Sequence, residues 1–119
     1  MIQDVLDLEV YRESLRLLKE IYGFLRNFPK SEFDTVSQLK RASKSIPANV
    51  VEGFAKRKSA AEFKRFLKIA IGSSDEVISH LRAVAITLPR YFLGAKNLAE
   101  KYKVLSKRLN TLCTIWHSD

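Results

Sequence analysis

The sequence predicts an all-α protein, an antiparallel up-down-up-down four-helix bundle. Three observations carry that expectation. Apolar residues recur every three or four positions along most of the 119-residue chain, the spacing that puts them on one face of a helix. Only four glycines and three prolines interrupt it, and no stretch alternates with period two for long enough to argue a strand. Breaks divide the pattern into four segments, about 8–27, 33–55, 59–87 and 95–117, whose short connections favour antiparallel neighbours. The length suits one domain, with 46% hydrophobic residues to fill a core without disulfide or metal.

Helix one shows Leu8, Tyr11, Leu15, Leu18, Tyr22 and Leu25 in three-four alternation, widened by Val10, Leu17, Ile21, Phe24 and Phe28. At about 100° per residue these positions span roughly 160°, more than the stripe of about 100° that a surface helix needs. The surplus, Val10, Leu17, Ile21 and Phe24, predicts cover by a second subunit, hence a homo-oligomer. Asn27-Phe28-Pro29-Lys30 breaks the pattern, and Ser31 has the chemistry of an N-cap with Asp34 facing the first-turn amides.

Helix two carries Val36, Leu39, Ser43, Ile46, Val50 and Gly53 or Phe54. Pro47 lies inside it, removing one backbone donor and crowding the Ser43 carbonyl. The apolar phase survives the proline, which predicts one kinked helix. Gln38, Arg41, Ser45, Asn49 and Glu52 share a flank. They read either as a structural network that pins the kink and pairs Arg41 or a neighbouring cation with Glu52, or as a recessed contact for a partner's phosphate or backbone.

Ser59 and Glu62 predict a capping box for helix three, whose stripe is Phe63, Phe66, Ala70, Ser73, Val77, Leu81, Val84 and Leu88. Gly72-Ser73-Ser74 in its middle predicts a close helix crossing. Pro89 stops this helix, with Arg90–Gly94 as the turn. Helix four follows with Leu98, Tyr102, Leu105, Leu109, Leu112 and Trp116.

The net charge of +8 is concentrated. Lys40, Arg41, Lys44, Lys56, Arg57, Lys58, Lys64, Arg65 and Lys68 stand against only Glu52 and Glu62, so nine cations and two acids place +7 in a quarter of the chain. Such a block attracts a polyanion, and nucleic acid is the leading reading. The alternatives are a solvated basic face or a surface for acidic proteins or membranes.

Residue constellations for catalysis are missing, so the sequence argues against an enzyme. His80 and His117 are the only histidines; Glu76 and His80 share a face, but no second pair completes a metal site. Cys113, the single cysteine, falls beside the apolar stripe of helix four and reads as a small hydrophobe. Ser43, Ser45, Ser73 and Ser74 lack a histidine-plus-acid partnership. Lys58-Ser59 lacks the glycines and strand of a phosphate loop. No metal or cofactor is expected. The lone cysteine, the acidic start M-I-Q-D-V-L-D-L-E and the lack of a membrane-length apolar run predict a cytoplasmic protein without membrane attachment.

The run S-Q-L-K-R-A-S-K-S-I-P-A-N-V-V-E-G-F, followed by E-F-K-R-F-L-K-I-A-I-G-S-S-D-E, closely resembles the four-helix-bundle proteins encoded in intervening sequences of bacterial 23S ribosomal RNA genes. L-E-V-Y near the start and F-P-K before helix two fit the same pattern, and the resemblance spans roughly residues 8 to 117. It implies a left-handed bundle that forms homo-oligomers, pentameric rings among them, with no established enzymatic activity. It also implies a distant similarity to the accessory variability determinant of diversity-generating retroelements, which partners a reverse transcriptase and nucleic acid. The matching motif residues are Gln38, Arg41, Ser45, Pro47, Asn49, Glu52, Gly53, Glu62, Phe63, Phe66, Leu67, Ala70, Gly72, Ser73 and Glu76. Tyr11 stands where tryptophan is common, and Ser74 where leucine is common. Function is therefore expected to be non-enzymatic: a homo-oligomeric basic bundle contacting RNA or other nucleic acid, or alternatively a scaffold that holds another protein.

Overall fold

A computed structural model describes residues 2–117. The element order is α1 (Glu9–Leu25), α2 (Phe33–Ala55), α3 (Ala60–Thr87) and α4 (Phe92–Ile115). Short 3-10 turns at Val5–Asp7, Lys30–Glu32 and Pro89–Tyr91 lead into α1, α2 and α4. No strand occurs among the described residues. Each helix packs against two others, α1 on α2 and α4, and α3 on α2 and α4, which makes a four-helix arrangement 50 × 20 × 20 Å in extent.

Helix two has the bounds that its pattern predicts, and α2 runs unbroken through buried Pro47. The other ends are locally reset. Ser31 does not cap α2: it lies in the 3-10 turn after Pro29, which feeds directly into Phe33. Only Pro89–Tyr91 forms the turn before α4, so Phe92–Gly94 are already helical. The Tyr91 hydroxyl fixes this corner by donating to the Asn27 carbonyl at 2.9 Å, which joins the α3–α4 turn to the α1–α2 turn. At the opposite end, Ser59 Oγ accepts from the Glu62 amide at 3.2 Å, as a cap should, but the Glu62 carboxylate turns away to Arg65.

The phase of α1 differs from the expectation. Its buried residues are Val10, Glu13, Ser14, Leu17, Ile21 and Leu25, while Leu15 is 39% exposed. Val10, Leu17 and Ile21, assigned from sequence to a second subunit, thus lie in the chain's own core. Phe24 packs edge-on against Phe28 and Tyr91, with ring centroids 5.2 and 5.9 Å away. The cause is the width of the apolar arc: α2 and α4 both grip α1, so one subunit covers what looked like surplus. In α3 Leu67 and Ile78, which broaden the apolar stripe in the sequence, are buried as expected, while Ser74 is buried and Phe66 and Ser73 are only partly buried and turn toward α2.

Within Gly72-Ser73-Ser74 the helix contacts are made by Ser73 and Ser74, and the glycine that a close crossing requires is Gly53. A Cβ on Gly53 would stand 2.7 Å from Phe66 Cβ and 2.9 Å from Phe63 Cδ1, so α2 and α3 meet where a side chain has no room. A Cβ on Gly72 would meet nothing within 4 Å. Gly72→Ala is therefore expected to raise the unfolding free energy by about 0.5–1 kcal/mol, the helix-propensity difference alone. Urea denaturation checks this; a loss of stability would show that Gly72 is packed.

Serines cross-link the middle of the bundle. Ser45 Oγ and Ser73 Oγ are 2.8 Å apart between α2 and α3. Ser106 Oγ of α4 lies 2.7 Å from Ser74 Oγ and 2.9 Å from Asp75 Oδ1, its single proton shared between them, and Ser74 in turn donates to the Tyr102 carbonyl at 3.2 Å. The polar residue in place of leucine at 74 is thus fully satisfied across the α3–α4 contact.

Candidate nucleic-acid interface

The nine cations that crowd the sequence occupy three places. Lys40, Arg41 and Lys44 lie on the flank of α2, where Lys40 Nζ and Lys44 Nζ sit 4.9 and 5.9 Å from the Tyr22 ring of α1. With Ser37, Ser45 and Ala48 they line one shallow hollow. Lys56, Arg57 and Lys58 form the α2–α3 turn. Arg57 Cζ lies 4.0 Å from the Phe54 ring, and its Nη1 donates to the Phe54 carbonyl at 3.1 Å. Lys56 and Arg65 both stand over Phe66, at 5.2 and 4.3 Å. Lys64 and Lys68 are one turn apart on α3; the Lys64 carbonyl accepts from Cys113 Sγ of α4 at 3.8 Å. At 1.5 Å per residue, Lys40 and Lys56 are about 24 Å apart along α2. What is one block in sequence is a flank, a turn and a ridge in space.

Partners for these charges are unevenly distributed. Arg65 pairs with Glu62 at 3.0 Å, and that bond holds the Glu62 carboxyl below its ordinary range and raises the Arg65 guanidinium. Lys40, Arg41, Lys44, Lys56, Lys58, Lys64 and Lys68 have no carboxylate within 4.0 Å among the described residues. Three acids are engaged elsewhere. Along the α1–α4 seam Lys101 meets Glu20 at 2.7 Å, and Arg108 bridges Glu9 and Glu13 at 3.2 and 2.7 Å. Hydrogen bonding to the largely buried Glu13 raises the Arg108 guanidinium. One side of the bundle is therefore neutralised by pairs, while the α2 flank and α2–α3 turn keep cations propped on aromatic rings, contacts worth about 0.5–1 kcal/mol each at exposed sites.

The polar flank of α2 takes neither of the forms expected for it in full. Asn49 Nδ2 donates to the Ser45 carbonyl at 2.8 Å and to Ser45 Oγ at 3.0 Å. It braces Ser45 rather than the Ser43 carbonyl that Pro47 leaves unpaired. Ser43 Oγ itself donates back to the Leu39 carbonyl at 2.7 Å. Glu52 is exposed and pairs with neither Arg41 nor another cation among the described residues. An arginine eleven positions away on one helix is three turns distant, too far for a direct bond. Tyr22, Phe54 and Phe66 are the rings beneath these cations; the three-four pattern marks them as apolar positions, and only the three-residue step from Phe54 to Arg57 and the adjacency of Arg65 and Phe66 are visible in the sequence.

His80 Nε2 lies 3.4 Å from Glu76 Oε2 on the surface of α3, and Cys113 is buried. Among the described residues no helix is long and apolar enough to cross a membrane, and no group of three His, Cys, Asp or Glu side chains is placed to hold a metal ion. A family model described as 23S rRNA-intervening sequence protein matches residues 6–112. No curated protein matches the chain.

Proposed function

The chain belongs to the 23S rRNA-intervening sequence protein family, and from that premise we propose that it is a non-enzymatic, homo-oligomeric basic bundle that binds RNA or other nucleic acid through phosphate contacts. The supporting observation is the charge layout: Glu9, Glu13 and Glu20 are paired along the α1–α4 seam, whereas Lys40, Arg41 and Lys44 on the α2 flank and Lys56 and Lys58 in the α2–α3 turn have no carboxylate within 4.0 Å among the described residues. Contacts of this kind set affinity without reading sequence. Assembly would multiply them through avidity. The helices are taken to run up-down-up-down, a course supported by the short connections and the rod-like extent. A left-handed twist, a pentameric state and a cytoplasmic setting are proposed from the resemblance and the lone cysteine. If the protein is purified without nuclease, ribonuclease or deoxyribonuclease treatment followed by gel filtration lowers its absorbance ratio at 260 over 280 nm. A ratio that neither enzyme changes counts against nucleic-acid binding.

Self-association needs a different surface from the one the sequence suggested, because Val10, Leu17 and Ile21 are internal. Ile86 and Leu93 are each 79% exposed, with Phe92 beside them at the α3–α4 corner. Ile86 and Phe92 belong to a groove between α3 and α4 whose floor is Leu81, Ala85, Ala95 and Ala99 and whose rim carries Arg82, Lys96, Glu100 and Lys103. This is the face we assign to a second copy; the alternative function, a scaffold for a different protein, would use the same face. Sedimentation velocity at micromolar concentration tests the assignment: a species larger than 13.6 kDa is expected, and a monomer would refute self-association.

A further inference from the structure

Where α1 gives way to α2 the surface holds a groove of about 620 Å³. Three aromatic residues, Tyr22, Phe28 and Phe33, and three cations, Arg26, Lys30 and Lys40, line it, and no carboxylate does. Glu32 and Asp34, the nearest acids in sequence, are not among its walls. The rings differ in what they offer. Tyr22 already lies under Lys40 and Lys44, and Phe28 leans on Tyr91 with centroids 4.2 Å apart. Phe33 is 72% exposed and has no ring partner among the described residues. Lys40 also borders the neighbouring hollow with Arg41 and Lys44, so the cations continue from the groove along α2.

An open aromatic face beside a run of cations is the arrangement that holds a strand with unpaired bases: a base stacks on the ring while the phosphates on either side meet the charges. A duplex cannot use the ring, because its base faces are buried in the stack. We propose that a single-stranded stretch of nucleic acid docks in this groove, with one base on Phe33 and flanking phosphates on Arg26, Lys30 and Lys40. This rests on the nucleic-acid reading above and specifies its ligand and place. A second copy of the chain is a poorer occupant, since the protein carries +8 and the groove adds cations to cations.

The test uses the full chain and two fluorescein-labelled RNAs with about the same number of phosphates, a uridine strand of about twenty nucleotides and a blunt-ended duplex of about ten base pairs, read by anisotropy. Phe33→Ala is expected to weaken the strand roughly 5- to 100-fold, the worth of one stacked base, and to leave duplex affinity within about twofold. Phe33→Trp keeps strand binding, which separates loss of stacking from loss of fold. Equal weakening of both RNAs, or no weakening of the strand, overturns the groove as the site while leaving nucleic-acid binding intact. A Phe33→Ala protein that sediments more slowly without RNA assigns the groove to self-association and also overturns it. If the unmodified protein binds neither RNA, the broader reading itself has failed.

Discussion

Phe63→Ala is expected to remove about 3–5 kcal/mol of folding stability, the cost of emptying a fully buried phenyl site. Phe63 is completely buried in the first turn of α3. Its ring meets Trp116 edge-on at 4.6 Å and Phe54 at 6.2 Å, tying the ends of α2, α3 and α4 together. Aromatic pairs of this geometry contribute about 0.5–1.5 kcal/mol beyond the area they bury. The site also resists collapse, because Gly53 presses bare backbone against the same ring and has no side chain to fill the gap. Small domains are stable by about 5–15 kcal/mol in total, so the loss approaches the whole margin. Urea unfolding with an unchanged slope would read it directly; a loss under about 1 kcal/mol would show that Phe63 does not hold this end of the bundle.

Reversing Lys40, Arg41 and Lys44 together to glutamate is expected to lower RNA affinity at least about 100-fold near 0.1 M salt, because three attractive phosphate contacts become repulsive. Arg41 and Lys44 are exposed and Lys40 half-buried. The folding cost is therefore confined to the contacts with Tyr22, about 0.5–1 kcal/mol each. The same number of reversals at Arg12, Arg16 and Lys107, exposed on α1 and α4 and outside the α3–α4 groove, keep the net charge change identical and should weaken binding far less. Equal losses from the two triple variants would mean that overall charge, and not the α2 flank, governs the interaction.

Much of the architecture was legible in the chain because helix identity is local. The three-four spacing of Leu39, Ile46 and Val50 survives Pro47, and α2 has the bounds that this spacing gives. Helix phase is less local. On α1 two apolar rows lie side by side, and which row faces inward depends on how α2 and α4 both pack against it, which the spacing within α1 does not show. Gly53 and Gly72 look alike in sequence; only the position of Phe63 and Phe66 on the facing helix separates them. The candidate site divides the same way. Its cations could be counted from the sequence, but their separation into flank, turn and ridge follows from the 23-residue length of α2. The exposed ring of Phe33 lay hidden in a segment that read as a helix start.

Salt titration of RNA binding by the unmodified protein bears most directly on the claim that the cations of α2 and its following turn meet phosphates. Counterion release predicts that the logarithm of affinity falls linearly with the logarithm of salt concentration, by about 0.7 for each single-strand phosphate neutralised, so a slope of roughly −2 or steeper for three or more contacts. The triple reversal on α2 should flatten that slope by roughly 2. A slope indistinguishable from zero in the unmodified protein would contradict the claim.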